Sequence, residues 1–282
     1  MTERPALLTN PRADRVRMVR RLAGRSARRR HGQFLIEGPQ AVREALAHIP
    51  GQLRDLYLTP EAADRYPELA QRAQSAAGRW HLATREVIDA MSPDAQGVLA
   101  VAHLAQRTPQ LTELLDTGLL LVLVEASDPG NLGTLIRTAD ATGTGGVVVG
   151  PGSADPLNPK VVRATAGSLF HLPVLTGEPL GDVVAGLREH DWQILAADGA
   201  GEWNLAELTE ATGPVGTTRP GPQLSRPTAW LLGHEARGLS AEHLAWADAT
   251  VRVPIYGAAE SLNVATAAAV CLYATAWAQR GN

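Results

Sequence analysis

The sequence predicts an α/β protein whose C-terminal part contains a parallel sheet. From Leu119 onwards, hydrophobic strand-like runs alternate with helical patterns, which is typical of a parallel sheet covered on both faces. A smaller group of short strands and helices occupies residues 33–104. Because the chain has 282 residues, of which 45% are hydrophobic, it can bury a full core and is expected to form two domains.

The first predicted domain spans residues 1–106 and alternates strands with helices. Its helices follow the 3.6-residue period, and one of them opens with a proline, which suits the first position of a helix. The predicted strands are Phe34–Gly38, Leu53–Leu58, Trp80–Ala83 and Gly97–Leu104, and the predicted helices are Ala41–Ala47, Pro60–Ala77 and Glu86–Met91.

Residues 107–117 are predicted as a linker, with a short helix-like run at Leu111–Asp116, and residues 118–282 as the second domain. Residues 213–227 contain four prolines and three glycines, which indicates a mobile or irregular insertion. The predicted strands of the second domain are Leu119–Val124, Gly146–Val149, Leu172–Leu175, Gln193–Ala197, Thr228–Leu232 and Thr250–Ile255.

Positive charge is concentrated at the start of the chain, although the formal net charge is −3. Residues 1–30 contain ten arginines and two acidic residues. Because guanidinium groups pair with phosphate in a fork geometry, this basic arm, residues 1–31, is predicted to contact an RNA backbone. The alternative is a solvated or frayed arm whose arginines only keep it soluble. The predicted RNA contacts are Arg15, Arg20, Arg21, Arg28, Arg29 and Arg30.

Missing motifs disfavour several classes of function. No HExxH, CxxC or EF-hand spacing occurs, so no metal site is predicted. The chain also lacks a phosphate-binding GxxxxGK[ST] loop, a GxSxG elbow and a GxGxxG turn, which argues against NTP hydrolysis, the usual hydrolases and a Rossmann-type methyltransferase. Cys271 is the only cysteine and is expected to be a buried small hydrophobe. Without a long apolar run or a signal-peptide pattern, the protein is predicted to be cytoplasmic, with no membrane partner.

Three polar motifs stand at the C-terminal ends of predicted strands. They are Asn131-Leu-Gly-Thr-Leu-Ile-Arg137, Gly233-His-Glu-Ala-Arg-Gly-Leu-Ser240 and Val253-Pro-Ile-Tyr-Gly-Ala-Ala-Glu-Ser-Leu-Asn263. The third leads into an alanine-rich helix whose first turn is predicted to hold Ser261 and Asn263. Polar side chains beside free N–H groups at a helix start can bind a carboxylate, a phosphate or a ribose hydroxyl. An N-cap serine followed by a packing helix would explain one such motif taken alone.

Together, the three motifs resemble those of the SpoU (TrmH-like) family of RNA ribose 2′-O-methyltransferases, over roughly residues 118–280. The resemblance implies a SPOUT catalytic domain with a parallel sheet and a deep C-terminal trefoil knot. The opening Phe34-Leu-Ile-Glu-Gly-Pro-Gln-Ala-Val-Arg-Glu-Ala-Leu46 resembles the small ribosomal-protein-like α/β domain that binds substrate in many SpoU enzymes. The resemblance further implies S-adenosylmethionine as cofactor. It also implies a homodimer in which the C-terminal helix packs against a second subunit and the active site is completed across that interface.

Site residues follow from the same resemblance. The implied catalytic residues are Arg137, Asn131, Glu235, Ser261 and Asn263. The implied cofactor-binding residues are Ala197, Leu232, Gly233, Gly238, Ile255, Leu262 and Asn263. Where many relatives carry asparagine between the glycine and the glutamate of the second motif, this chain has His234, which could offer a second proton acceptor.

Arg137 is expected to act as a charged clamp. Family mechanisms invoke this arginine as the base, but neutralising a guanidinium with a pKa above about 12 costs roughly 7 kcal/mol near pH 7. A charged Arg137 would instead orient the RNA phosphate and stabilise the developing alkoxide. The alternative is a structural arginine paired with a carboxylate such as Asp140.

The predicted activity is S-adenosylmethionine-dependent 2′-O-methylation of a ribose, with 23S ribosomal RNA as the substrate. The extra N-terminal domain favours an rRNA enzyme, and some relatives of that kind confer antibiotic resistance. The alternatives are a tRNA ribose methyltransferase and a non-catalytic RNA-binding protein that retains the fold.

Overall fold

The computed structural model describes residues 5–75, 79–105, 109–209 and 221–281. The chain divides into two compact units. Unit 1 contains Met1–Arg107 together with Asp155–His171, and unit 2 contains Thr108–Ala154 together with Leu172–Asn282. The segment Asp155–His171 thus packs in unit 1, although residues 118–282 were predicted to form one domain.

The described residues form strands and helices in close alternation. The strands are β1 (Leu7–Leu8), β2 (Gln33–Glu37), β3 (Leu53–Leu58), β4 (Arg79–Ala83), β5 (Val98–His103), β6 (Leu119–Leu123), β7 (Val147–Val149), β8 (Val174–Thr176), β9 (Gln193–Ala197), β10 (Trp203–Asn204), β11 (Thr228–Leu232) and β12 (Ala249–Arg252). The α-helices are α1 (Asp14–Arg21), α2 (Arg25–His31), α3 (Pro39–His48), α4 (Pro60–Arg65), α5 (Pro67–Ser75), α6 (Arg85–Met91), α7 (Pro129–Ala141), α8 (Pro159–Ala164), α9 (Leu180–Glu189), α10 (Leu205–Thr209), α11 (Ala241–Ala245) and α12 (Val264–Arg280). Short 3-10 helices span Pro50–Gln52, Leu111–Thr117 and Ser168–Phe170.

Unit 1 is built on a mixed sheet in the order β1-β4-β3-β5-β2. Strands β1, β4 and β3 run parallel, and β5 is antiparallel to both β3 and β2. Successive side chains of a strand face opposite sides, so Phe34 and Ile36 enter one core while Leu35 enters the other. Val162 of α8 belongs to the first of these cores, which anchors the segment Asp155–His171 in the unit.

Helix α1 covers the second face of the unit 1 sheet. Val16, Val19 and Leu22 recur at helical spacing and are buried beside Leu35 and Tyr57. The described part of the basic segment is therefore folded onto the domain, and the alternative of a frayed arm is wrong for these residues. The outward positions between the buried ones carry the arginines.

Unit 2 contains a seven-stranded sheet in the order β10-β12-β9-β11-β6-β7-β8, and all of its strand pairs are parallel. This confirms the predicted parallel α/β fold. The central strand β11 is buried along its whole length. Helix α12 packs against α7, and the indole Nε1 of Trp230 donates to Thr275 Oγ1 at 2.9 Å, which fixes α12 on β11.

Element boundaries differ from the predictions where proline or an irregular segment intervenes. The predicted helix Pro60–Ala77 is interrupted at Tyr66, because the ring of Pro67 disfavours a helical conformation in the preceding residue. The strand predicted to reach Ile255 ends at Arg252, and a segment with no regular structure precedes α12. Of the predicted insertion 213–227, residues 213–220 lie outside the described residues.

Cys271 is buried in α12, as predicted, and burial raises the pKa of its thiol to about 12. The thiol therefore stays protonated at neutral pH. Within the described ranges, no helix has the length and apolar character needed to cross a membrane.

Candidate active site

The first motif lies on α7, the helix that follows β6. Asp128 caps α7 by accepting a hydrogen bond from the backbone N–H of Asn131 at 2.8 Å, and Pro129 occupies the first helical position. Helix α7 therefore starts at Pro129, with Asn131 in its first turn. The cap fixes the direction of the backbone N–H of Asn131.

The second motif forms a tight loop after β11. His234 and Gly238 exchange two backbone hydrogen bonds of 3.0 and 2.8 Å, and Gly238 has a positive φ of 64°. A Cβ on Gly233 would lie 2.3 Å from the carbonyl carbon of Gly238, so only glycine fits at this position. The loop closes on itself and presents Glu235.

The third motif differs from its prediction. Ser261 and Asn263 were expected in the first turn of the last helix, but α12 starts at Val264. Asn263 is the N-cap, because its Oδ1 accepts from the N–H of Ala265 at 2.9 Å. Ser261 lies in the exposed segment before the cap. An asparagine caps a helix as well as a serine does, so local pattern did not distinguish the two.

Side chains from all three motifs meet in one network. Asn263 Nδ2 donates to Asn131 Oδ1 at 3.1 Å, and Asn131 Nδ2 donates to Glu235 Oε1 at 3.4 Å. Ser127 Oγ donates to the other oxygen of Glu235 at 3.4 Å. Asn131 thus links the second and third motifs, and three of the five predicted catalytic residues are brought together.

Arg137 does not join this network. It lies six residues after Asn131 on α7, so the two side chains project about 120° apart around the helix. Arg137 is exposed and forms no hydrogen bond or ion pair with any residue that the structure describes. The exposed guanidinium is therefore accessible to a ligand.

His234 is held in one orientation beside Glu235. Its Nδ1 accepts the backbone N–H of Ala236 at 3.0 Å, and its Nε2 lies 3.4 Å from Ser127 Oγ. The imidazole is thus part of the loop that positions Glu235.

A pocket of about 500 Å³ lies in unit 2 where strands β9, β11 and β12 end. Ligands of open α/β sheets bind at the carboxyl ends of strands, and this volume suits a small-molecule site. Asn263, which was also predicted to bind the cofactor, does not line it. The predicted cofactor residues in its wall are Ala197, Leu232, Gly233, Gly238, Ile255 and Leu262.

Three charged residues in the wall of this pocket belong to none of the predicted sites, namely Asp198, Arg252 and Glu260. Asp198 directly follows β9, so the rule that ligands bind at strand ends could have found it. Arg252 is held by the carbonyls of Gly201 and Glu202, at 2.7 and 3.1 Å. Only the tertiary structure indicates that contact.

Of the six arginines predicted to bind RNA, Arg28 is the exception in the structure. It is 3% exposed, and its guanidinium donates to the carbonyls of Leu22 and Ala23 and to Asp155 Oδ2, the last at 2.6 Å. Because these internal partners occupy the side chain, the prediction that Arg28 contacts RNA is corrected to a structural role. The other five are exposed: Arg15, Arg20, Arg21, Arg29 and Arg30.

Comparison with family models identifies both parts of the chain. Residues 118–273 match the SpoU rRNA Methylase family, and residues 13–100 match the MRM3-like substrate binding domain. The first match covers more than half of the chain.

Individual relatives extend over nearly the whole chain. It is 34% identical to the 23S rRNA (guanosine(2553)-2′-O)-methyltransferase RlmP of Bacillus subtilis, covering 92% of this chain and 95% of the relative. It is 32% identical to the 23S rRNA (guanosine-2′-O-)-methyltransferase RlmB of Bordetella pertussis, covering 88% and 98%.

A solved structure is similar to this chain in both fold and sequence. The SpoU methyltransferase AviRb of Streptomyces viridochromogenes, in complex with the cofactor AdoMet, superposes with a TM-score of 0.78 at 28% identity, covering 96% of this chain and 100% of that one. With three motif residues in one network, a pocket at the strand ends and these matches, the chain belongs to the SpoU rRNA methylase family.

Proposed function

We propose that this protein transfers a methyl group from S-adenosylmethionine to the 2′-hydroxyl of a ribose in 23S ribosomal RNA. The observation that carries the proposal is the network of Asn131, Glu235 and Asn263 in the unit whose pocket lies at the ends of β9, β11 and β12. The names of the relatives support both the reaction and the class of RNA.

The pocket residues fit S-adenosylmethionine. Leu232, Ile255 and Leu262 offer apolar surface to an adenine ring, and Asp198 and Glu260 offer carboxylates to its polar and cationic groups. The close approach of Gly233 to Gly238 keeps the pocket wall compact. When bound, the cofactor supplies an electrophilic methyl group on a sulfonium.

Arg137 acts as a charged clamp on the RNA. Because neutralising a guanidinium costs roughly 7 kcal/mol near pH 7, Arg137 keeps its charge and stabilises the alkoxide that develops on the ribose. Its exposure and lack of internal partners support contact with a phosphate. Asn131, held by Asn263 and Glu235, positions the ribose, and Ser261, which lies in the pocket wall, has the same role.

A homodimer completes the site. Tyr256 is 88% exposed and Trp277 is 56% exposed, and with Val270 and Tyr273 they give α12 and the segment before it an apolar outer surface. Such a surface is larger than single exposed hydrophobics explain and suits a second copy of this chain. Since Arg137 projects away from Asn131, its guanidinium serves the site of the neighbouring subunit.

The C-terminal segment forms a trefoil knot, as in the family. Supporting this, α12 packs near the centre of the sheet against β11 and α7, whereas β12 lies towards the β10 edge. The chain between β12 and α12 thus returns across the pocket.

Unit 1 binds the RNA that flanks the modified ribose, and unit 2 provides catalysis. The exposed arginines of α1 and α2 support this division, since each can pair with a phosphate. A contribution to antibiotic resistance stays a prediction.

The test is to map ribose methylation in rRNA and tRNA from cells with and without this protein. We expect one 2′-O-methyl group in 23S rRNA to disappear and to return with the wild-type gene but not with Arg137→Ala. Loss of a tRNA methylation instead would identify the alternative substrate. Unchanged methylation, with RNA binding retained by the purified protein, would identify a non-catalytic RNA-binding protein.

A further inference from the structure

A second group of chemically versatile side chains lies in unit 1, away from the motifs. Glu44 and His48 are one turn apart on α3 and therefore share a face of that helix. His171, at the end of the segment Asp155–His171, meets them there. One oxygen or nitrogen of each residue lies within 4.8 Å of the others.

The carboxylate of Glu44 is oriented towards both imidazoles. Its Oε2 lies 3.3 Å from His171 Nε2 and 3.8 Å from His48 Nε2. Its other oxygen, Oε1, accepts from Gln40 Nε2 at 2.7 Å, and Gln40 in turn accepts from Arg43. Outer hydrogen bonds of this kind fix a ligand carboxylate and leave one oxygen for an ion.

The segment Asp155–His171 can approach α3 closely because residue 167 is a glycine. A Cβ on Gly167 would lie 2.3 Å from Glu44 Cγ, and Gly167 has a φ of 107°, which other residues rarely adopt. This contact lets the segment approach α3 and places His171 opposite Glu44. The two imidazole rings then lie 4.4 Å apart, at an angle of 48°.

We propose that Glu44, His48 and His171 form a binding site for a divalent transition-metal ion, with Zn²⁺ as the best fit. Two imidazoles and one carboxylate, with water in the fourth position, are a common ligand set for zinc. Tetrahedral bonds of about 2.0–2.1 Å place ligand atoms roughly 3.3 Å apart, close to the 3.3 and 3.8 Å found here.

Partial exposure makes the site accessible. The side chains of Glu44, His48 and His171 are 23%, 46% and 27% exposed, so an ion and its water can reach them and His48 can turn to close the remaining gap. A bound ion would tie the end of the segment Asp155–His171 to α3. No spacing motif revealed this group, because its third ligand lies far along the chain from the other two.

The experiment titrates the full-length protein, freed of metal with EDTA, with Zn²⁺ by calorimetry and with Co²⁺ by visible absorption. We expect one ion per chain, a micromolar or tighter dissociation constant, and a Co²⁺ spectrum typical of tetrahedral coordination. His48→Asn and His171→Asn should each weaken Zn²⁺ binding at least tenfold. His103→Asn, which changes an exposed histidine on β5 outside the group, is the matched control.

Thermal unfolding in EDTA checks that the variants fold, and the exposed position of His48 makes its variant the safer of the two. Absence of saturable binding would mean that the three side chains form only an ion-paired cluster, and the proposal would fail. Equal weakening by His103→Asn, or no weakening by either variant of the group, would overturn it as well. Because the readouts are metal binding and absorption, they do not depend on the proposed methyl transfer.

Discussion

The basic helices α1 and α2 and the three motif loops of unit 2 present their polar residues in different ways. On the helices, the buried side chains of Val16, Val19 and Leu22 fix how α1 lies on the domain. The arginines between and after these residues therefore point outwards, apart from Arg28. In the loops, residues from distant parts of the chain meet because parallel strands end at one edge. A charged stripe therefore tolerates the loss of single members, whereas the loop network does not. Five predictions test this difference.

Arg137→Ala should have the largest effect of these changes. Removing this exposed guanidinium should slow methyl transfer roughly 1000-fold, about 4 kcal/mol, with cofactor affinity and stability unchanged because the side chain has no partner among the described residues. Single-turnover methylation and calorimetry with the demethylated cofactor measure these quantities. Arg188→Ala, at another exposed arginine of unit 2, should be neutral. A variant retaining more than about a tenth of the rate, a loss under about 1.4 kcal/mol, would make Arg137 structural.

Arg28→Ala should reduce stability and leave the salt dependence of RNA binding unchanged. It leaves Asp155 without its close partner and removes the donor to the carbonyls of Leu22 and Ala23, so we expect the free energy of unfolding to fall by about 3 kcal/mol. Urea denaturation measures this loss, and Arg29→Ala should change it by less than about 0.5 kcal/mol. If the two variants are equally stable, the distinction between buried and exposed arginines is not valid.

Gly233→Ala should impair cofactor binding. The added methyl group would overlap the backbone of Gly238 and open the loop, so we expect the dissociation constant to rise roughly 30-fold, about 2 kcal/mol. Calorimetry gives the constant directly. Gly257→Ala, where the new Cβ meets nothing within 4 Å, controls for the change of residue. Normal affinity in Gly233→Ala would show that the pocket does not depend on this turn.

Replacing Arg29 and Arg30 together by alanine should weaken RNA binding. The whole loss of affinity should come from salt-dependent contacts with phosphate groups. Each lost phosphate contact lowers the slope of log K against log salt by roughly 0.7 to 0.9 units. Binding curves at several salt concentrations give that slope, and cofactor affinity should not change. Deleting residues 1–30 is a poor test, because it also removes Val16, Val19 and Leu22 from the core. An unchanged slope would mean that this part of the surface does not touch RNA.

His234→Asn should have the smallest effect, a change of a few-fold in rate at neutral pH. The variant loses the ring Nδ1 that accepts the Ala236 N–H, but the two backbone hydrogen bonds between His234 and Gly238 keep the loop closed. Single-turnover methylation measures the rate. A loss of more than about 100-fold would show that the imidazole takes part in the reaction.

Local sequence determined much of this protein. Hydrophobic periodicity correctly predicted β3, β9 and β11 to the residue, and the parallel sheet followed from alternation. The resemblance of the three motifs to one family grouped Asn131, Glu235 and Asn263, and the structure brings their side chains together. The strands were predictable because the burial of a strand is decided by residues close together in the chain.

Tertiary structure alone decided the rest. Arg28 resembles its neighbours in sequence, and only the packing of α2 against the segment Asp155–His171 shows that it is buried. Whether that segment would pack in unit 1 could not be read from its residues, because Val162 and Asp155 find their partners far away in the chain. The grouping of Glu44, His48 and His171 could not be read from the sequence either, because His171 lies far along the chain from the other two. Contacts between distant segments depend on how whole elements pack, and no local pattern of residues records that packing.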